Sequence, residues 1–298
     1  MNVVTRHVRL PFLEDALALR VYTRQETREM ACCWPAPVIV LCHGFGGVQE
    51  VLLPEVAQAF ARDGFVAVTF DYRGFGGSSG ERGRLTVARQ QEDIRVVLRW
   101  VCNNPVLDER RVGLWGTGLG GGHALCVAYR NPQVRCVVSQ SPILNGRVLV
   151  TQGMSGEERQ VFLRGLEERA LRRRIDGEEL WVSVNRLIQD RASRQFFHLQ
   201  RRASPSLGVV NRMPYLTLRE LCHYRVAPFA RGVQQPALLV TSEHDHLTSL
   251  AEVREVYDAL AGVRSLVRVP GARHYDLYRA PWRDEALLAQ RAWLQAHL

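Results

Sequence analysis

Short apolar stretches alternate with longer amphipathic segments along most of this chain. Helix-length segments with one apolar face follow the later apolar stretches, at residues 51–63, 87–103, 119–129, 250–261 and 285–297. The apolar stretches themselves have strand length and predict eight β-strands, at residues 7–12, 16–22, 38–42, 65–70, 112–115, 134–138, 237–241 and 265–269. Such alternation predicts an α/β fold with a mostly parallel sheet flanked by helices. The first two strands, which no helix separates, predict an antiparallel edge.

The segment 145–233 interrupts this alternation between the sixth and seventh predicted strands. It reads as several helices rich in Arg, Glu and Leu. We therefore expect a core of residues 1–144 and 234–298 that carries a helical lid, residues 145–233, over the carboxyl edge of the sheet, where open α/β sheets bind ligands. Packing within the lid, or an apolar substrate tunnel, explains its larger apolar side chains, which are Trp181, Phe196, Phe197, Met213 and Tyr215.

The composition is that of a globular protein, with 46% apolar and 23% charged residues over 298 positions. No apolar run approaches the roughly 20 residues of a membrane helix. The first residues lack the apolar region of a signal peptide, so we expect a cytoplasmic protein with no membrane partner. The seven cysteines are odd in number, lie mostly in apolar runs and form no C-x-x-C pair, which favours buried thiols over disulfides or a metal site.

The net charge of +9 is carried by arginine alone, since the chain contains 39 arginines and no lysine. A basic surface can attract an acidic partner such as a carrier protein. The arginines are not interleaved with aromatic residues in a nucleic-acid-binding module, and we expect no nucleic-acid partner. The sequence does not indicate an oligomeric state.

A glycine-rich turn joins the fifth predicted strand to its helix, in RVGLWGTGLGGGHALCV at residues 111–127. The turn matches the G-x-S-x-G nucleophile elbow of serine hydrolases with Gly118 in place of the serine. Gly116, Gly118 and Gly121 also match the G-x-G-x-x-G dinucleotide-binding fingerprint. That fingerprint requires an acidic residue about 20 positions on, whereas the next strand ends in Ser-Gln-Ser at residues 139–141. We therefore favour the elbow and expect no cofactor.

Five motifs follow one another along the chain and together span nearly all of it outside the lid. They are LCHGFGG at 41–47, FDYRGFGGSSG at 70–80, GLWGTGLGGGH at 113–123, SEHDHLTS at 242–249 and GARHYDLY at 271–278. In this order they resemble the motifs of the α/β-hydrolase superfamily, and the likeness is greatest to acyl hydrolases of the dienelactone-hydrolase-like and Xaa-Pro-dipeptidyl-peptidase-like branch. The resemblance implies an α/β-hydrolase fold and chemistry of the Ser-His-Asp type.

The resemblance also implies the roles of individual residues. It places the nucleophile position at Gly118, the catalytic base at His274 and the acid that orients this base at Asp245. Glu243 is a second candidate for the acid.

The oxyanion-binding N–H groups would belong to Phe45 and Leu119, and neither depends on the side chain at position 118. In the DYRG turn, Asp71 and Arg73 are expected to form a structural pair.

Three functions remain open at this point. The first is an acyl hydrolase for the ester or thioester of a hydrophobic, polyketide-like acyl group, in which glycine replaces the nucleophile and leaves only residual activity. The second is an enzyme with a native Gly118 whose His274–Asp245 dyad acts as a general base in cyclisation, C–C cleavage, lyase or cofactor-free oxygenation chemistry. The third is a pseudoenzyme that only binds an acyl ligand. Neither Thr117 nor Ser141 is placed to supply the missing hydroxyl.

Overall fold

A computed structural model describes residues 2–25, 35–188, 190–203 and 208–298. Over these ranges the strands are β1 (Val3–Phe12), β2 (Asp15–Arg24), β3 (Ala36–Cys42), β4 (Val66–Phe70), β5 (Leu107–Thr117), β6 (Val134–Gln140), β7 (Trp181–Ser183), β8 (Arg212–Pro214), β9 (Ala237–His244) and β10 (Arg264–Arg273). The helices are α1 (Leu53–Arg62), α2 (Val87–Cys102), α3 (Leu119–Ala128), α4 (Gly146–Val150), α5 (Gly156–Asp176), α6 (Val184–Leu187), α7 (Arg191–Ala203), α8 (Thr217–Cys222), α9 (Ala227–Ala230), α10 (Leu250–Ala259) and α11 (Trp282–His297).

Eight of the strands form one sheet in the order β1-β2-β4-β3-β5-β6-β9-β10. β1 pairs with β2 and β2 with β4 in antiparallel fashion, and the other neighbours are parallel. The predicted α/β fold with a mostly parallel eight-stranded sheet is confirmed. The carboxyl ends of β3, β5, β9 and β10 therefore meet at one edge, as expected for parallel strands.

Helices cover both faces of this sheet, and each face has its own apolar cluster. One cluster contains Ile94 of α2, Leu125 of α3 and Val253 of α10, whereas the other contains Phe60 of α1 and Leu294 of α11. All five side chains are fully or almost fully buried. This burial is the main stabilising term for helices with one apolar face.

Residues 145–233, which we call the insert, leave the sheet after β6 and return to it at β9. The helix α5 begins at a capping box of Ser155 and Glu158 and ends at Gly177, whose positive φ of 77° suits glycine. The insert also contains an antiparallel pair, β7 with β8, that the sequence did not predict. Strands of three residues are too short to show a period of two.

The DYRG turn corrects one expectation. Arg73 pairs with Asp93, with Nε 2.6 Å from Oδ1, and with Glu92, not with Asp71. The carboxylate of Asp71 instead accepts hydrogen bonds from the backbone N–H groups of Gln49 and Gly77 at 2.7 and 2.8 Å. Backbone N–H groups of the surrounding loop already bind the carboxylate of Asp71. The guanidinium group of Arg73 instead forms ion pairs with two carboxylates of α2.

The cysteines that the structure describes are free thiols. Four of them are buried and Cys222 is half-buried, whereas Cys32 and Cys33 lie outside the described residues. Burial raises the pKa of the Cys136 thiol to about 12, so it is protonated at neutral pH. No helix in the described ranges has the length and apolarity needed to cross a membrane.

Candidate active site

The turn between β5 and α3 holds Gly118 in a conformation that other residues rarely adopt, with φ 57° and ψ −123°. Its N–H donates to the carbonyl oxygen of Gln140 at 3.0 Å, and its own carbonyl accepts from the N–H of Ile143 at 2.9 Å. A Cβ atom at this position would lie 3.6 Å from the Cα of Gly44, an ordinary contact. The site therefore has room for a side chain, although a non-glycine residue would be strained there.

The neighbouring glycines are required by close packing. A Cβ atom at Gly116 would lie 2.2 Å from the carbonyl oxygen of Gly120, and one at Gly120 would lie 2.4 Å from the carbonyl oxygens of Cys42 and His43. Both positions exclude any side chain. Positions 116 and 120, the first and last glycines of the elbow motif, therefore require glycine.

His274 and Asp245 form a buried pair in the loops after β10 and β9. The Nδ1 atom of His274 lies 2.9 Å from Oδ2 and 3.0 Å from Oδ1 of Asp245. The side chains are only 4% and 3% exposed. The N–H groups of Leu247 and Thr248 donate to Oδ1 of the same carboxylate at 2.9 and 3.1 Å. The pair fixes the imidazole ring and leaves its Nε2 atom for proton transfer.

The charge of Asp245 is stabilised in spite of its burial. Burial alone raises the pKa of this carboxyl group, but His274 and the backbone N–H groups of Leu247 and Thr248 outweigh burial and lower it. Glu243, the second candidate for the acid, accepts from the N–H of Gly271 and pairs with Arg268. The structure thus brings Asp245 to His274 and engages Glu243 elsewhere.

A mostly apolar cavity, which we call the central cavity, lies where the insert meets the strand ends. It encloses about 140 Å³. The core contributes Phe45, Gly118, Leu119 and His274 to its lining, and the insert contributes Leu149, Val150, Leu187, Ile188, Phe196 and Phe197. The ring of Phe197 meets that of Phe45 edge to face, with centroids 6.1 Å apart. The glycine turn and His274 therefore line the same apolar space.

Phe45 and Leu119, the two residues expected to supply the oxyanion-binding N–H groups, both line the central cavity. Within the described part of the chain, neither amide donates a hydrogen bond to another residue. Leu119 is the first residue of α3, where the helix leaves N–H groups free. The loop of Phe45 packs against the turn, because a Cβ atom on Gly44 would lie 3.9 Å from the Leu119 nitrogen. Two free amide donors next to Gly118 can stabilise a developing negative charge.

Only part of the expected substrate tunnel lines the central cavity. Phe197 does so, and so does Phe196. Trp181, Met213 and Tyr215 are not among the described lining residues. Trp181 lies against the guanidinium of Arg84, and Met213 is fully buried within the insert. Composition alone did not show which of these side chains would face the strand ends.

Sequence reasoning missed two tyrosines that follow His274 in the GARHYDLY motif and line the central cavity. The hydroxyl of Tyr278 lies 2.6 Å from Oγ1 of Thr117, and burial raises the pKa of Tyr278 to about 12. The hydroxyl of Tyr275 donates to Oγ of Ser193, in the insert, at 2.6 Å. Position in the motif was the available signal, since both residues lie within four of His274.

Comparison with known proteins identifies the family. The model of the serine aminopeptidase S33 family of hydrolases matches residues 34–278. The chain belongs to this family. The predicted membership of the α/β-hydrolase superfamily, and with it a hydrolase type of enzyme, is thereby confirmed.

Individual relatives agree with this assignment. A 31.7 kDa protein of the traX-finO intergenic region of Escherichia coli is 41% identical over 88% of this chain and 91% of its own length. Polyketide transferase GrgF of Penicillium is 24% identical over 80% of this chain and 81% of its own, and its crystal structure superposes with a TM-score of 0.79 over 99% of both chains. Thiohydrolase aneE of Aspergillus aculeatus is 31% identical over 36% of this chain and 34% of its own.

Proposed function

We propose that this chain has the site of an acyl hydrolase for esters or thioesters of hydrophobic acyl groups, with Gly118 at the nucleophile position. His274 is the base, Asp245 orients it, and the amides of Phe45 and Leu119 form the oxyanion hole. The observation that carries the proposal is that His274, buried and paired with Asp245, lines the same apolar cavity as a glycine held in the elbow conformation.

The reaction of this site needs a nucleophile at position 118. A serine hydroxyl there would attack the acyl carbon, pass its proton to Nε2 of His274 and leave the carbonyl oxygen negatively charged near the two amides. Gly118 has no hydroxyl, and that of Thr117 is hydrogen-bonded to Tyr278. This chain therefore binds the acyl group in the central cavity and forms no acyl-enzyme.

The substrate class follows from the lining of the central cavity and from the relatives. Apolar side chains from both the core and the insert suit a hydrophobic acyl group. The names of GrgF, a polyketide transferase, and aneE, a thiohydrolase, support acyl and thioester chemistry within the family. We therefore infer that the ligand is a small-molecule ester or thioester.

The decisive experiment introduces a serine hydroxyl at position 118. Gly118→Ser is assayed on p-nitrophenyl esters and acyl thioesters beside Gly118→Ala, which has the same backbone strain and no hydroxyl. We expect hydrolysis by the serine variant to exceed that by the alanine variant by at least about 10³-fold and to disappear on adding His274→Ala.

Two results would contradict the proposal. One is a serine variant as inactive as the alanine variant although both bind the thioester. The other is turnover by the Gly118 protein that depends on His274, which would point to general-base chemistry by the dyad instead.

A further inference from the structure

A second, more polar depression adjoins the central cavity, and we call it the basic groove. It shares Asp190, Phe196 and Tyr275 with the central cavity, so these side chains form a common wall. Its volume is about 590 Å³. Because the two spaces share a wall, a ligand with its acyl end in the central cavity can extend its other end into the basic groove.

Arginine dominates the charge of the basic groove. Arg191, Arg273 and Arg279 line it and are exposed, and in the described structure none of the three forms a salt bridge. The side chains of His244 and His246 line it as well.

Both carboxylates of the groove are already engaged. Asp190 is hydrogen-bonded to Nε2 of His246 at 3.1 Å, and Asp276 accepts from the backbone N–H of Arg273 at 2.9 Å. The three guanidinium groups are therefore left to face solvent or a ligand.

The positive charge of the whole chain is concentrated in the insert, which borders the basic groove. Residues 145–233 hold 16 of the 39 arginines and only 9 of the 30 acidic residues, and so carry +7 of the net charge of +9. The insert contributes Arg191 to the groove and covers the central cavity. A positive field at the entrance raises the local concentration of an anionic substrate.

We propose that the basic groove binds the phosphorylated arm of an acyl thioester whose acyl group occupies the central cavity. Guanidinium groups match phosphate oxygens in two-point hydrogen bonds, and the free oxygens of one phosphate group can engage more than one of them. The thioester bond then lies near the shared wall of Phe196 and Tyr275, beside His274. This inference rests on the proposed function and names the substrate class of the same site.

The test compares three thioesters of one acyl group by isothermal titration calorimetry on the Gly118 protein. The N-acetylcysteamine thioester has a neutral arm, the phosphopantetheine thioester carries one phosphate, and the coenzyme A thioester carries further phosphates. We expect the phosphopantetheine thioester to bind at least about tenfold more tightly than the neutral one, and less so as salt is added.

A charge-matched pair of variants locates the effect. Changing Arg191, Arg273 and Arg279 together to Gln should remove the preference for the phosphorylated arm and leave the affinity for the neutral thioester unchanged. The control changes three exposed arginines of α5, Arg159, Arg164 and Arg172, to Gln. It alters the net charge equally and should retain the preference.

The outcomes separate this inference from the proposed function. Equal affinity for neutral and phosphorylated thioesters, or equal losses in the two triple variants, would overturn the groove assignment and leave the acyl site standing. Failure of all three thioesters to bind would overturn the proposed function itself. Further tightening with coenzyme A would identify a free coenzyme A ester as the source of the arm, whereas no further tightening would show that the single phosphate suffices, as in an arm attached to a carrier protein.

Discussion

Two His–Asp pairs lie side by side at the carboxyl edge of the sheet, with the His274 and His246 rings 6.2 Å apart. The first pair, His274 with Asp245, belongs wholly to the strand-end loops and is almost completely buried. The second joins His246 of the same region to Asp190 of the insert, and its side chains are 32% and 26% exposed. The same chemistry thus occurs once inside the core and once across the boundary between core and insert.

The difference lies in what else holds each pair. Asp245 accepts from two backbone N–H groups of its own loop, so the first pair is fixed by the fold of the core. Asp190 accepts from the N–H of Ser193 at the start of α7, so the second pair links that helix to the β9 loop. Buried and anchored groups suit catalysis, whereas a partly exposed pair contributes little stability and responds to pH.

The largest expected effect is on kcat, when the carboxylate of each pair is replaced in turn. In the Gly118→Ser background, Asp245→Asn should lower kcat for ester hydrolysis about 10⁴-fold, because the imidazole loses its orienting carboxylate. Asp190→Asn should lower it less than about tenfold. Steady-state kinetics on one p-nitrophenyl ester give both values, and equal losses would show that the second pair is also part of the catalytic machinery.

The next effect concerns glycines of the core. Gly116→Ala places a Cβ atom 2.2 Å from a backbone oxygen and should lower the free energy of unfolding by at least about 3 kcal/mol. Gly118→Ala adds only backbone strain and should cost about 1–3 kcal/mol. Urea unfolding followed by circular dichroism would measure both, and a mild Gly116→Ala variant would contradict the close packing of the elbow.

In the insert, replacing a glycine by alanine should stabilise the protein. Gly165 lies in the middle of α5, where a Cβ atom would meet no atom within 4 Å. Gly165→Ala should therefore raise the free energy of unfolding by about 1 kcal/mol through helix propensity. Thermal unfolding would detect this as a higher Tm, and a lower Tm would contradict the open surroundings of Gly165.

The smallest effect is the response of the second pair to pH. Its hydrogen bond to Asp190 raises the pKa of His246 above its usual 6.5, despite the opposing effects of burial and of Arg273. Burial raises the pKa of Asp190, but hydrogen bonds to His246 and Ser193 lower it below its usual 3.8.

The sign of the pH effect follows from these two shifts. The contribution of His246 to folding stability is complete below about pH 6.5 and is lost as pH rises through its raised pKa. The contribution of Asp190 is present above about pH 3.8 and is lost as pH falls through its lowered pKa. The pair should thus hold α7 most firmly between these values, by about 1 kcal/mol or less. The protection factors of the α7 amides, which divide out the intrinsic rise of hydrogen exchange with pH, should fall above neutral pH, and His246→Gln should abolish that fall.

The candidate site residues of the core were predictable because they directly follow the carboxyl ends of strands. Val38 to Cys42 and Ala237 to Thr241 are apolar runs followed directly by the HGFGG and SEHD motifs, and parallel strands bring such ends to one edge. The pairing of Asp245 with His274 follows from the adjacency of β9 and β10.

The insert was less predictable, for physical reasons. Its aromatic residues have no strand period that fixes their direction, so the sequence could not separate Phe197, which lines the central cavity, from Trp181, Met213 and Tyr215, which do not. The partner of Arg73 was equally hidden, because it depends on how α2 packs against the DYRG turn rather than on neighbours in sequence.

The backbone angles of Gly118 also bear on how such a chain can arise. A serine at φ 57° and ψ −123° is strained by about 1–3 kcal/mol, whereas a glycine is relaxed. Exchange of serine for glycine takes a single nucleotide change in codons that begin with AG and GG. In an α/β hydrolase with a serine at this turn, a single mutational step that removes the nucleophile can therefore also stabilise the fold.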